Sequence, residues 1–281
     1  SGDIDNRRTS AAEKDAMQAG SRMHRKIQKR QGADYHAEVP MKHTVEQEDY
    51  RILVEGRADG VIEAVSGVTI DEIKCVYLDI HQLEEPLAVH LAQALCYAYM
   101  YCADHENIDS ITIQITYCNL ETEEIRRLKQ DKTREELEEW FQGLIHEYVK
   151  WANYLYEHEL RRDASLKDLQ FPFPYRPGQR ELAVSVYKAI AREKNLFIQA
   201  PTGVGKTLST VFPAVKAMGE QMADKVFYLT AKSITRTVAE EAFRILREHG
   251  MYLNTVAITA KEKLCFLEEI SCNPDDCPYA R

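Results

Sequence analysis

Residues Ala200-Pro201-Thr202-Gly203-Val204-Gly205-Lys206-Thr207 form a glycine-rich turn that ends in Gly-Lys-Thr. The apolar run Asn195-Leu-Phe-Ile-Gln199 precedes it and reads as a buried strand. Leu208 to Lys216 follows and reads as a helix. Strand, turn and helix in this order make a phosphate cradle. Backbone N–H groups from Thr202 to Gly205 face the β- and γ-phosphates, Lys206 adds a point charge, and Thr207 offers its hydroxyl to magnesium.

A second set of reactive residues lies upstream. Asp59 ends the strand expected over Tyr50–Asp59. Glu72 and Lys74 stand two apart on the returning strand Val68–Lys74, so they share a face. The hairpin brings all three together. An Asp and a Glu converging on one point make an oxygen-rich site for Mg²⁺ or Mn²⁺. A lysine beside them can orient or activate water for attack on phosphorus, and one or two metals stabilise the attacking and leaving oxygens of a phosphodiester displacement. By itself Asp followed by Glu-x-Lys is an ordinary pattern of solvated strand charges. More residues join it: Gly20-Ser-Arg-Met-His24 on the first helix, Glu38 on the next extended segment, and Gln93-Ala-Leu-Cys-Tyr97, with His90 one turn before Gln93.

The elements that must position these groups are legible from periodicity. Helical spacing marks 11–30 and Leu87–Cys102. Tyr35–Val45 is extended, Ser110–Tyr117 alternates strictly as a half-buried strand, and Glu123–Lys129 is its pairing candidate. Thr133-Arg-Glu-Glu136 is a capping box opening a long helix with Leu137, Trp140, Phe141, Leu144 and Ile145 on one side. Phe171-Pro-Phe-Pro-Tyr-Arg-Pro-Gly178 is forced to be extended by its prolines, and the domain boundary is placed there. Beyond it, helices at Gln179–Glu193, up to Met218, and 233–249 alternate with strands at Asn195–Gln199, Lys225–Ala231 and Thr255–Ile258. That alternation predicts an open parallel sheet covered on both faces.

With 281 residues the chain has room for about two domains. No apolar run reaches the roughly 18 residues of a membrane span and no signal peptide opens the chain, so the expected location is the cytoplasm and no membrane partner is expected. A net charge of −9 excludes nucleic-acid binding by bulk attraction but leaves room for a local basic groove. Cys75, Cys96, Cys102 and Cys118 sit singly in apolar contexts and read as small buried hydrophobes. An odd total of seven argues against a disulfide framework. Cys265, Cys272 and Cys277 cluster and can be read as a metal site or as three free thiols.

The upstream set, in its order, resembles the RecB-type branch of the PD-(D/E)XK nucleases. That family carries Gly-x-x-x-His, an upstream Glu, Gly-x-x-Asp, Glu-x-Lys and Gln-x-x-x-Tyr, matched over roughly residues 16–118. The resemblance implies that His24, Asp59 and Glu72 hold the metal, that Lys74 is the catalytic lysine, and that Gln93 and Tyr97 line the DNA path. Where the family often has Glu four residues after its histidine, this chain has Gln28.

The downstream half resembles superfamily one and two helicases. Ala200 replaces the usual first glycine of the loop, which argues against a kinase or a small GTPase. Tyr175-Arg-Pro-Gly-Gln179 resembles the helicase element that reads adenine, which implies ATP. Gln179 would pair with the adenine N6 and N7 positions, with Arg176 nearby. Tyr228-Leu-Thr-Ala-Lys-Ser233 stands where helicases grip single-stranded DNA, which implies Thr230 and Lys232 as contacts. Lys261-Glu-Lys-Leu-Cys265, Cys272 and Cys277 resemble the start of the iron–sulfur insertion of XPD/DinG-type helicases. A [4Fe–4S] cluster is implied, with a zinc site as the rival reading.

These resemblances imply a restriction-endonuclease-like α/β core over 1–130, a long helix and linker over 131–168, the first part of a RecA-like motor over 169–260 and an insertion from 261 to 281. The expected whole is an ATP-dependent DNA helicase fused to a metal-dependent nuclease, acting on single-stranded or forked DNA in repair or processing. The Asp-Glu-Ala-His box and the second motor domain are not in these 281 residues, so the chain is expected to be a piece of a longer enzyme that cannot unwind DNA alone. Two other readings compete. One is a DNA- and nucleotide-binding module with an inactive nuclease fold, and the other is a P-loop ATPase unrelated to DNA.

Overall fold

The computed structural model describes residues 10–201, 203–230, 233–260, 263–267, 277 and 279. The chain divides into two compact units, 1–147 together with 269–281, and 148–268.

The first unit is a five-stranded mixed sheet with helices on both faces. It begins with α1 (Ser10–Gln28), followed by β1 (Tyr35–Glu46), β2 (Arg51–Ala64) and β3 (Gly67–Val76). Then come α2 (Ala88–Asp104), β4 (Ser110–Asn119) and β5 (Ile125–Thr133). Spatial order follows chain order, and every pairing is antiparallel except β3 with β4. Parallel strands need a crossover, and α2 supplies it. Side chains alternate along β3. Ile73 faces α1, where it packs with Met23, Ile27 and Cys118. Glu72 and Lys74 face the other side, where Lys74 meets Gln93 of α2. The expected helices and strands of this half all form, the candidate strand at Glu123–Lys129 included.

The capping box closes as expected. The Thr133 N–H donates to Glu136 Oε2 at 2.9 Å and the Glu136 N–H to Thr133 Oγ1 at 3.2 Å. It opens α3 (Arg134–Asp168). The helix is shared by the two units. Leu137, Phe141 and Ile145 are buried near its start, with Phe141 stacked on Tyr99. Leu166 joins Val211, Val215, Met218, Leu246 and Met251 in the core of the second unit. The break between the units therefore lies inside α3, upstream of the proline-rich stretch where the sequence placed it.

The second unit contains α4 (Gln179–Ala191), α5 (Lys206–Gly219) and α6 (Ser233–Glu248) as expected. The parallel sheet expected among them is a correction. Among the described residues, no strand forms at 195–199, 225–230 or 255–258. Parallel strands are stable when both faces are covered. Here Phe197 is 95% exposed, and Phe227, Leu229, Val256 and Ile258 are also exposed. The burial that would drive a ladder is missing. Among the described residues, no helix is long and apolar enough to cross a membrane.

Candidate functional site

The upstream residues meet where two ladders fail. β2 and β3 pair from Ala64 with Gly67 up to Gly60 with Asp71, and no further. At the next step the Asp59 carboxylate replaces the backbone, accepting the Ile73 N–H at 2.7 Å. The β1–β2 ladder skips the Glu38 and Asp59 positions. Glu38 has φ of +57°, a left-handed conformation that costs a non-glycine residue about 1 kcal/mol or more. The strands thus part at the point where the acidic groups gather.

His24, from α1, places Nδ1 3.5 Å from Asp59 Oδ1. Its hydrogen bond to Asp59 and a second to Cys75 raise its pKa to about 10 against the opposing effect of burial, so it is an imidazolium at neutral pH. Glu72 is 1% exposed. Lys74 Nζ lies 2.8 Å from its Oε1 and donates to Gln93 Oε1 at 2.9 Å. Glu72 Oε2 is buried with no partner. Burial, together with repulsion from Asp59, pushes the Glu72 carboxyl up to about 7, while Lys74 and His24 pull the other way. Gln93 Nε2 donates to Tyr97 Oη at 3.2 Å. The structure therefore brings together all six residues singled out for this site: His24, Asp59, Glu72, Lys74, Gln93 and Tyr97.

The arrangement of the metal ligands differs from the expectation. Among the described residues, no three His, Cys, Asp or Glu side chains stand as a formed metal cage. His24 is engaged with Asp59, and Glu72 with Lys74. The donor chemistry nevertheless fits a hard divalent ion. Two carboxylates and an imidazole lie at one fork, and the orphaned Glu72 Oε2 is a buried acceptor in need of a cation.

Several supporting contacts were not foreseen from the sequence. Gln28 donates from Nε2 to Glu38 Oε1 at 3.0 Å and to the Asp59 carbonyl at 2.9 Å. A glutamate there could donate to neither, so the departure from the family pattern is a working contact. Glu38 also pairs with Arg57 at 2.7 Å. The Tyr35 hydroxyl lies 3.4 Å from the Asp59 carbonyl and 3.3 Å from Asp71 Oδ2. Asp71 is fully buried on the opposite face, where Gln114 and Thr116 donate to it at 2.8 and 2.5 Å. Gly56 is also explained, because a Cβ there would lie 2.8 Å from the Tyr97 ring. The one available signal was glycine inside a strand, which marks close approach.

The downstream loop leads into α5 at Lys206. Its lysine is folded back, with Nζ donating to the carbonyls of Ala200 at 2.9 Å and Pro201 at 3.0 Å. Gly205 has φ of +80°, and a Cβ there would meet Gln179 Nε2 at 2.5 Å. The expected adenine reader thus lies against the loop. Gln179 Oε1 accepts the Arg176 N–H at 2.9 Å, and Arg176 Nη1 donates to the Gly203 carbonyl at 2.6 Å. Val204 lies within the loop and Thr207 in the first turn of α5. Thr202, Lys232 and Cys272 lie outside the described residues, and Thr230 ends the 225–230 segment. Cys265 Sγ accepts the Leu267 N–H at 3.4 Å.

Comparison with known proteins bears on this downstream half. Residues 177–272 match the DEAD/DEAH box helicase family. A probable ATP-dependent helicase from Methanocaldococcus jannaschii is 43% identical over 47 residues, which are 16% of this chain and 7% of that protein. The crystal structure of SSO0001 aligns with 44% of this chain and 55% of its own, at 17% identity and a TM-score of 0.34, too low to carry an argument. The family match spans Gln179 and the phosphate loop, and together with the helicase relative it supports a superfamily 2 helicase over this part of the chain.

Proposed function

We propose that the chain joins a metal-dependent DNA nuclease, residues 1–130, to the nucleotide-binding part of an XPD/DinG-like DNA helicase, with the enzyme acting on single-stranded or forked DNA in repair or processing. The observation that carries the nuclease reading is the buried, unpartnered Glu72 Oε2 beside Lys74 and Asp59. Asp59, Glu72 and His24 would hold Mg²⁺ or Mn²⁺. When bound, such an ion polarises the phosphate and acidifies a water.

The chain's own residues do the rest. To ligate the ion, His24 would have to lose its proton and turn from Asp59. Asp59 keeps its position through the Ile73 N–H. Lys74, held by Gln93, keeps a positive charge at the fork, where it can stabilise the charge that develops on phosphorus. In the second unit, Lys206 leaves the Ala200 and Pro201 carbonyls to meet the β- and γ-phosphates of ATP, and Gln179 reads the adenine. Cys265, Cys272 and Cys277 would ligate an iron–sulfur cluster. The N–H donated to Cys265 Sγ suits a cluster ligand.

The binding-module reading draws on Lys74 and His24 both being engaged already. One experiment separates the two: cleavage of end-labelled single-stranded DNA in Mn²⁺ or Mg²⁺ without ATP. Lys74→Ala is expected to lower the rate by roughly 10²-fold or more. Absence of cutting by the wild type, with DNA binding intact, would establish the inactive module instead.

A further inference from the structure

His90, Gln93 and Tyr97 form one stripe along α2. Each meets a different strand. The Tyr97 ring covers Gly56 of β2, Gln93 holds Lys74 of β3, and His90 reaches Tyr117 of β4. Tyr117 stands in register with Lys74, so it belongs to the same face of the sheet. The first two contacts belong to the site described above, whereas the third has no assigned role.

The buried Tyr117 hydroxyl accepts the Leu87 N–H at 2.9 Å and lies 2.9 Å from His90 Nδ1. The hydroxyl can give its one proton to Nδ1. His90 is then a neutral imidazole carrying its hydrogen on Nε2. Burial and the charge of Lys74 hold its pKa below the ordinary range. Nε2–H has no partner among the described residues.

At Leu91, the residue after His90, the same unit opens into a cavity of about 280 Å³. Its apolar floor is Leu91, Ile113, Ile115 and Leu128. Ile115 is the register partner of Glu72 and lies two residues before Tyr117, about 7 Å along the strand. Gln130 lines the cavity, and its Nε2 is buried without an acceptor. Glu84, Glu85 and Lys129 also line it. The carboxylate oxygens accept from amino groups.

We propose that this is a subsite for one nucleotide of a DNA single strand, with His90 Nε2–H on its phosphate and its base in the cavity. The proposal rests on the nuclease reading for the identity of the strand. Gln130 Nε2 donates to a base carbonyl and the carboxylates accept an exocyclic amine, so cytosine or guanine is the favoured base.

The test uses the full chain and single-stranded oligonucleotides in which one abasic site is walked past the cut. Abasic substitution at one fixed position should raise KM about three- to tenfold with little change in kcat. His90→Ala should raise KM by the same order, and Leu128→Trp, which fills the cavity, should erase the sensitivity to the abasic site. Thymine at that position should lose about threefold against cytosine. No sensitive position, or unchanged KM in both variants, overturns the subsite. Should the wild type not cut in Mn²⁺, the nuclease reading fails, and the same substrates and variants are read by fluorescence anisotropy. Matching losses of affinity then sustain the subsite, and unchanged affinities overturn it. Because the two variants act through unrelated contacts, a folding defect in one leaves the other to decide.

Discussion

Glu72 and His24 carry opposite charges, yet both tie stability to pH in the same direction. The folded pKa of Glu72 is raised to about 7 from an ordinary 4.5. Between these values the folded state holds a proton that the unfolded chain has lost, so stability falls as pH rises through the window, by about 3 kcal/mol in all. His24 is raised to about 10 from 6.5. Its contribution is complete below pH 6.5 and is lost as pH rises toward 10. Urea unfolding should therefore show stability declining from pH 5 to pH 10. Glu72→Gln should flatten the part below pH 7 and leave the upper part in place. At this scale the sequence was legible in residue type and order. The unpartnered Oε2 and the engaged state of Lys74 were not, because both depend on how α2 closes over the sheet.

The elements hold the site through close approaches that leave no room for a side chain. Gly56 lies under the Tyr97 ring, and a Cβ on Gly60 would lie 2.1 Å from Tyr35. Gly56→Ala should destabilise the first unit by about 1–3 kcal/mol through overpacking and push Tyr97 off its seat, as read by thermal melting. Reducing the ring in Tyr97→Leu should recover part of that loss in the double variant. The sheet was readable because its strands alternate and its turns carry turn residues. The missing ladder at 195–199, 225–230 and 255–258 was not readable. Apolar β-branched runs state a propensity, and whether they pair depends on neighbours that cover both faces. The break inside α3 was not readable for a similar reason. Proline marks where a helix cannot run, but nothing in the sequence marks where one continuous helix passes from one core to the next.

At the scale of the whole chain the acidic fork and the phosphate loop belong to separate units, each with its own core. Lys206→Ala should abolish binding of a fluorescent ATP analogue while leaving metal-dependent cutting without ATP unchanged. Lys74→Ala should do the reverse. Loss of both activities in either variant would contradict this division. The order in which the first unit assembles bears on its acidic fork. Because β3 and β4 run parallel, they cannot zip from a tight turn, and the chain must lay down α2 between them. The β2–β3 hairpin closes from its own turn and sets Asp59 beside Glu72 while water still surrounds both and their repulsion is weak. α2 is then expected to arrive later and to remove that water. On that order of assembly the repulsion falls on the finished structure rather than on the folding nucleus, and it should leave the rate of folding almost untouched and shorten the lifetime of the folded state.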